Sequence, residues 1–572
     1  MMAKMTFKKV PFAIGAIGFV LCLSTRAQTL KTPAEEANYL QYSQHEEIAR
    51  FLSTLADQAK EVRVQVIGKT KEVKGFPSKD LYLCMITEEG AATPQALNRN
   101  KLTFMLTAAQ HGNEQSAKEA ALRLIRDIAL GDLKPLLKKM NFLFIVQTNP
   151  YGNFFDVRQN EIELDMNRDH VKLEAEGVAA IHGVFRAFMP EVTMDVHEKG
   201  DDYYRVSIGC VSNINISPAL LELSRTKILP EVEKNLAAKN LTFHEYLVTS
   251  EMGIDTSAGA NYRPEELAKR ETLKRYSTTD LNDGRNSLGI YETLSFIQEG
   301  ASRHNLETLQ ERTRWQYFGI RLFAEAVAKN SADILDLVRN LRTALIEKAR
   351  VYSEQNRVHL RMDYVRDEKN PTLTLKKFET AEYPVRGVLK FDKKAGDLLT
   401  AADLAPYPLP ASVKVVTDVV KNWFPNVESK LSVPRPLGYI IPAQHQDIIE
   451  LLLEHGISVG IFVKDRLLEI EAYAATEVVP SKYDYLPPEK IEVEIKALPT
   501  IIKKGDFYVS CAQPAANLIP CLLEPQSEYG FIRYWKFKIV PDKGGIFAFT
   551  RLVKGQELAV APYKNWRLTS FQ

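Results

Sequence analysis

Neither sign of charge prevails in this chain: 74 Lys and Arg stand against 72 Asp and Glu over 572 residues. Residues 1–27 hold Lys4, Lys8, Lys9 and Arg26 and no acid, so without them the count is 70 against 72, a net charge of −2. Such a balance gives no electrostatic case for nucleic acid or an anionic membrane surface as partner. Cysteine is scarce, at five residues. Beyond residue 27 there remain Cys84, Cys210, Cys511 and Cys521. Cys511 and Cys521 are near enough in sequence to pair in an oxidising compartment, and two buried free thiols fit equally well, so no disulfide is assigned. Long apolar runs are absent after the N-terminus, which leaves no candidate membrane span there. Internal repeats and low-complexity segments are absent too.

What is present suits a folded chain of more than one domain. The hydrophobic fraction of 45% and charged fraction of 26% are ordinary for a globular protein, and the length allows two or three cores. Residues 1–27 read as a secretory signal: a basic start, the apolar run Pro11–Leu23, and Thr25-Arg-Ala27 before a cut ahead of Gln28. An exported protein, periplasmic or extracellular, is therefore expected, with no integral membrane segment once the signal is gone. A lipoprotein reading through Cys22 is disfavoured by the bulky Leu21 before it.

The predicted order of elements is α/β. Ser43-Gln-His-Glu46 has the spacing of a capping box and leads into Ile48, Phe51, Leu52 and Leu55, an amphipathic helix. Strands are expected over 63–67, 80–86, 102–109, 142–147, 192–197 and 294–298, with helices over 116–129, 171–188 and 218–238. The alternation predicts a helix-covered, mostly parallel or mixed sheet. Long helices are expected over 305–353. From about residue 354 the chain becomes proline-punctuated and strand-like, as at 491–495, 505–509 and 534–540, with a small α/β unit at 438–463. The expected division is thus a signal over 1–27, a larger α/β domain over 28–353, and a β-rich C-terminal accessory region over 354–572. On that division a chain cut near residue 355 should still bind metal.

The chemistry gathers at strand ends, where sites form in such sheets. His111-Gly-Asn-Glu114 closes the strand-like run from Leu102, and His197 ends Val192-Thr-Met-Asp-Val-His197. Two imidazoles and one carboxylate are the ligand set of a catalytic zinc site, in which a fourth position stays open for water. Between these ligands lie Asn149-Pro-Tyr-Gly152, Arg158-Gln-Asn160 and Asp165-Met-Asn-Arg-Asp169. His170 and His182 occupy no ligand-like position, and Glu198 beside His197 is open between orienting an imidazole and facing solvent.

In this order the elements resemble the zinc carboxypeptidases, the carboxypeptidase A-like metallopeptidases, over roughly residues 40–305, with Tyr151 where the family has Asp and Met166 where it has Leu. The resemblance, to a large bacterial secreted member, implies the carboxypeptidase fold and one zinc ion per chain on His111, Glu114 and His197. It further implies Glu299 as general base to a zinc-activated water, with Glu292 as the rival at the wrong end of the strand. Arg158 would polarise the scissile carbonyl, and Asn167 with Arg168 would bind the substrate's terminal carboxylate. Tyr276, with Tyr262 and Tyr291 as competitors, would cap the substrate. The expected activity is hydrolysis of C-terminal peptide bonds, in a protein that needs no further cleavage for activity. Two alternatives stay open: an amidase or endopeptidase acting on cell-wall peptides or acylated amino acids, and a glycan- or partner-binding protein whose exposed aromatics include Trp535 and Trp566. The pocket loops fall within 200–290. Terminal-residue preference and oligomeric state are not legible.

Overall fold

A computed structural model describes residues 30–200, 202–251, 272–301, 308–378 and 414–563. The signal-like segment, Tyr262 and Trp566 lie outside the described residues. The main sheet has eight strands: β1 (Val62–Lys69), β2 (Asp80–Ile86), β3 (Leu102–Ala108), β4 (Met140–Ile145), β5 (Val192–Glu198), β6 (Val206–Cys210), β7 (Phe243–Glu245) and β10 (Leu294–Gly300). A separate ribbon pairs β8 (Leu247–Glu251) with β9 (Thr272–Tyr276). The sheet order is β1-β2-β4-β3-β5-β10-β6-β7. The four central strands β4, β3, β5 and β10 run parallel, and their neighbours β2 and β6 on either side run antiparallel to them. Every residue of β3, β4, β5 and β10 is buried, as expected where helices cover both faces of a parallel sheet.

Helices form where apolar spacing and caps agree. The first long one, His45–Gln58, buries Ile48, Phe51, Leu52 and Leu55, but its capping box is Gln44 with Glu47, one residue later than Ser43 with Glu46. Ser43 instead gives its N–H and hydroxyl to the buried Glu119 carboxylate, at 2.8 and 2.5 Å. The helix Leu309–Lys329 lies behind the strand ends: Gln316 donates to the carbonyl of His197 at 2.5 Å, and Tyr317 to Asp127 at 2.6 Å.

The C-terminal region forms two short ribbons and a seven-stranded sheet. Within it, Gly438–Ile441, the helix Gln446–Glu454 and Gly460–Phe462 make the expected small α/β unit. Residues 534–540 are not a strand; they hold the 3₁₀ turn Trp535–Phe537. Lys538 there takes a positive φ of 51°, which ends any extended run. All four cysteines after residue 30 are buried and unpaired, and Trp535 is half-exposed.

One apolar core runs without a break from Ile48 to Phe549, through both halves of the chain. Polar contacts reinforce the join. Arg533 meets Asp280 at 2.9 and 3.0 Å with both side chains buried. Tyr534 accepts from Asn282 at 2.9 Å, and Asn517 donates to Asn215 and to Glu292. His455, at the end of the helix Gln446–Glu454, donates to the carbonyl of Val171 at 2.9 Å. Its ring packs edge-on against His182, which is 3.1 Å from His170. Burial lowers all three of these imidazoles below their ordinary range, His170 and His455 to about 4.

Three outcomes follow. Removing one partner of a buried ion pair leaves the other uncompensated, so Arg533→Met should cost about 3–5 kcal/mol, read as a lower denaturant midpoint. A chain ending at residue 355 should fail to give a soluble zinc-binding fragment; a well-folded one would show the shared core to be dispensable. Histidines kept neutral in the fold but protonated in the unfolded chain make the unfolded state the greater proton binder at acid pH. Stability should therefore fall as pH drops from about 6.5 to about 4, and a flat melting temperature over that window would contradict it.

Candidate metal centre

His111, His197 and Glu299 leave the C-terminal ends of β3, β5 and β10, three neighbouring parallel strands. Register does the alignment: Glu299 pairs directly with His197, and Ala108 with Val196. The turn after β3 is strained at Ala109, whose φ is +60°, a conformation a non-glycine residue adopts at a cost and one often found at functional sites. It continues through Gly112, where a Cβ would come within 2.0 Å of the Gly152 backbone. Asn149 stitches this crossing by donating to the carbonyls of Gln110, Arg158 and Gln159. The Asn-Pro-Tyr-Gly segment thus supports the ligand turn, and Tyr151 packs outward against Phe76.

Ligand atoms of His111, Glu114 and His197 all lie within 4.8 Å of one another, and the three residues are buried. The two Nδ1 atoms face each other at 3.1 Å, and each is 2.8 Å from a Glu114 carboxylate oxygen. Against the effect of burial, the two imidazoles hold the Glu114 carboxyl well below its usual range. The outer nitrogens are anchored as well: Nε2 of His111 on Asp165 at 3.1 Å, Nε2 of His197 on Asp195 at 2.5 Å. A carboxylate behind each imidazole fixes its tautomer and aims the other nitrogen inward, the usual support of a metal-binding histidine. Two inward nitrogens and a carboxylate, oriented this way, fit zinc.

The triad opens onto a cavity of about 330 Å³ whose lining includes Arg158, Asn167, Arg168 and Glu299. Glu299 is buried, and burial pushes its carboxyl up to about 7. Arg158 is held by Asp165, with Nε and Nη2 at 2.9 and 2.8 Å, and its Nη1 stands 3.1 Å from Nδ1 of His111. Asn167 approaches Nε2 of His197 at 3.3 Å and accepts the N–H of Gly284 at 2.9 Å. Arg168 spends one N–H on the carbonyl of Asn167 at 2.6 Å. Six of the eight sequence-derived site residues line one cavity, and His197 stands directly behind its wall, against His111 and Glu114. Tyr276 does not line it. Its ring meets Trp423 edge-on and lies under the Arg225 guanidinium, because β9 turns that side chain away. Tyr291 is core and donates to the carbonyl of His455.

The other open residues resolve by their partners. Glu198 forms a buried ion pair with Arg312 at 2.9 Å. Glu292 accepts from Ser217 and Asn517, far along β10 from the metal ligands. His170 contacts Gln110, which in turn donates to Asp195 at 2.6 Å. Sequence reasoning missed Asp195, Gln110 and Tyr246. Asp195 was readable, since it stands two residues before His197 and strand alternation puts both on one face. Tyr246 lines the cavity and hydrogen-bonds Glu299; nothing in its local sequence separates it from the other tyrosines.

Replacing His111 or His197 with Ala should abolish metal retention and activity together. Zinc content by atomic absorption, with full occupancy in either variant, would overturn the ligand assignment.

Comparisons with known proteins fall on the same residues. The zinc carboxypeptidase family pattern matches residues 48–181, a stretch that holds His111, Glu114, Arg158, Asn167 and Arg168. Carboxypeptidase 2 of Trichophyton rubrum is 23% identical over 492 residues, covering 83% of this chain and 80% of its own. Probable carboxypeptidase 2 of Trichophyton verrucosum is 25% identical over 484 residues and is covered to 81%, as is this chain. These relatives are fungal, so the expectation of a bacterial member is not borne out. A metallo-carboxypeptidase from Pseudomonas aeruginosa, solved with (2-guanidinoethylmercapto)succinic acid, is 18% identical over 52% of this chain and 71% of its own, at a TM-score of 0.37. That structural likeness is too distant to build on. The ordered ligands and the sequence match agree: residues 48–181 match the zinc carboxypeptidase pattern, the chain is similar to these carboxypeptidases over most of its length, and it is a hydrolase.

Proposed function

We propose that this protein is an exported zinc carboxypeptidase that removes single residues from the C-termini of peptides. The observation that carries the reading is a buried His111–Glu114–His197 triad that meets, through His111 and Glu114, a cavity lined also by Glu299, with its raised carboxyl, and by Arg158 and Arg168. Export rests on the signal-like composition of residues 1–27 alone.

When bound, zinc would supply Lewis-acid activation of a water and of the scissile carbonyl. The remaining work belongs to the chain. Glu299 takes the proton from the attacking water on a carboxylate oxygen and passes it to the departing amine. A carboxyl raised towards neutrality is suited to both transfers. Tyr246 holds that carboxyl in place through its phenol. Arg158, locked by Asp165, presents Nη1 beside the ligands, where it stabilises negative charge that develops on the carbonyl oxygen. Arg168 receives the substrate's terminal carboxylate, which its planar fork matches. Asn167, whose amide is engaged with His197 and Gly284, positions the neighbouring ligand and loop as much as the substrate.

Loss of the general base should slow turnover by about 10²–10⁴ in Glu299→Gln, with zinc retained. A variant that kept wild-type kcat would remove Glu299 from the mechanism. Mass spectrometry of a peptide library incubated with the zinc-loaded protein should show chelator-sensitive loss of single C-terminal residues. Zinc bound but no trimming, together with cleavage of cell-wall peptides or acylated amino acids, would replace this reading with the amidase one.

A further inference from the structure

Below Glu299 the character of the cavity changes. Ile297 stands two residues earlier on β10, so alternation puts it on the same face, about 7 Å deeper along the strand. It pairs across to Gly209 on β6. The space a side chain at Gly209 would occupy is taken by a guanidinium: a Cβ there would lie 2.9 Å from Nη1 of Arg285, 3.0 Å from Ile297 and 3.1 Å from Tyr246. Arg285 is 1% exposed. Its Nη2 donates to the carbonyl of Thr278 at 3.2 Å, while Nε and Nη1 find no hydrogen-bond partner among the described residues. Tyr246, Thr278, Asp283 and Ile297, the residues around this guanidinium, all line the cavity, while Arg285 itself lies one layer behind them, against a small void of about 10 Å³.

An internal ion pair with Asp283 is the competing explanation. The distances argue against it. Nε is 3.5 Å from Oδ1 of Asp283, and that oxygen already accepts the backbone N–H groups of Arg285 and Asn286 as a helix cap, at 3.1 and 3.4 Å. A buried cation with unspent donors is destabilising unless an anion completes it. Arginine always carries its charge, so it cannot escape by losing a proton.

We propose that Arg285 forms an anion-binding subsite at the floor of the cavity, and that the enzyme therefore prefers peptides ending in Asp or Glu. The inference rests on the carboxypeptidase reading. With the terminal main-chain carboxylate on Arg168, the side chain of the last residue descends along Ile297, and a carboxylate at its tip meets the unspent N–H groups of Nε and Nη1. An uncharged isostere leaves them unpaired, which is how a site built for a polar partner rejects its analogue.

The test compares synthetic peptides that differ only in the last residue, Glu, Gln, Leu or Lys, with the zinc-loaded full chain. The expected result is a kcat/KM for Glu roughly tenfold or more above that for Gln, falling to near parity in Arg285→Met. Zinc content and melting temperature accompany the variant, and Arg285→Lys should keep part of the preference. Wild-type enzyme that trims Gln or Leu as fast as Glu overturns the subsite whatever the variants do. So does a preference for Glu that survives in Arg285→Met. If zinc is bound and no peptide is trimmed at all, the carboxypeptidase reading itself fails, and the subsite with it.

Discussion

The register of three strands governs the rest of the molecule. β3, β5 and β10 end at one level because Ala108 pairs with Val196 and Glu299 with His197. A slip of one residue on any of them would turn its side chain to the other face of the sheet. The same register explains the second layer. Asp195 sits under His197, level with Thr107, whose hydroxyl it accepts at 2.9 Å, and Ile297 sits under Glu299. Ligand and base therefore share one rung of the ladder, and anchor and floor share the next rung on that face.

Burying that much charge needs compensation close by. Glu114 is offset by the two imidazoles, Asp195 by His197, Thr107 and Gln110, and Glu198 by Arg312. Within the helix Gln115–Ala129, which follows Glu114, Lys118 and Glu119 pair at 2.9 Å with no exposure at all. Each pair roughly offsets its own desolvation and adds little net stability. The apolar core has to supply stability, and it extends well beyond the residues that carry the chemistry.

How much of this was legible in the sequence follows from the range of each interaction. His111 and Glu114 are three residues apart in a turn between a strand and a helix, a local pattern that needs no tertiary knowledge. The central strands were readable because both of their faces are buried and their apolar runs are continuous. The capping box was misplaced by one residue, since Gln44 fits the cap as well as Ser43 and only the distant Glu119 decides between them. Tyr276 stands 23 residues before Glu299, close to where the resemblance implies a capping tyrosine, but a paired ribbon carries it elsewhere. Arg285 could not have been found, because being unpaired is a property of the whole packed interior. The strand-like run at 534–540 was overridden by tertiary contact: Tyr534 is buried against Asn282 and Tyr485.

The last of these contacts shows why the two halves of the chain are one structure. Ser277, Thr278 and Asp283 line the cavity, yet residues 277–283 lie between β9 and a short helix with no strand partner of their own. Left alone, a polar loop of that kind would sample many conformations, and ordering it costs entropy for each residue fixed. Here four of the seven residues are tied to the C-terminal region. Tyr364 donates to the carbonyl of Ser277, Tyr529 meets the hydroxyl of Thr279 at 3.2 Å, Arg533 grips Asp280, and Tyr534 holds Asn282. Thr278, the one residue between these clamps that touches Arg285, is fixed by its neighbours. The β-rich half thus shapes the wall of the substrate cavity, although its own residues lie outside the ligand set. A cavity wall formed in this way is a property of the whole chain.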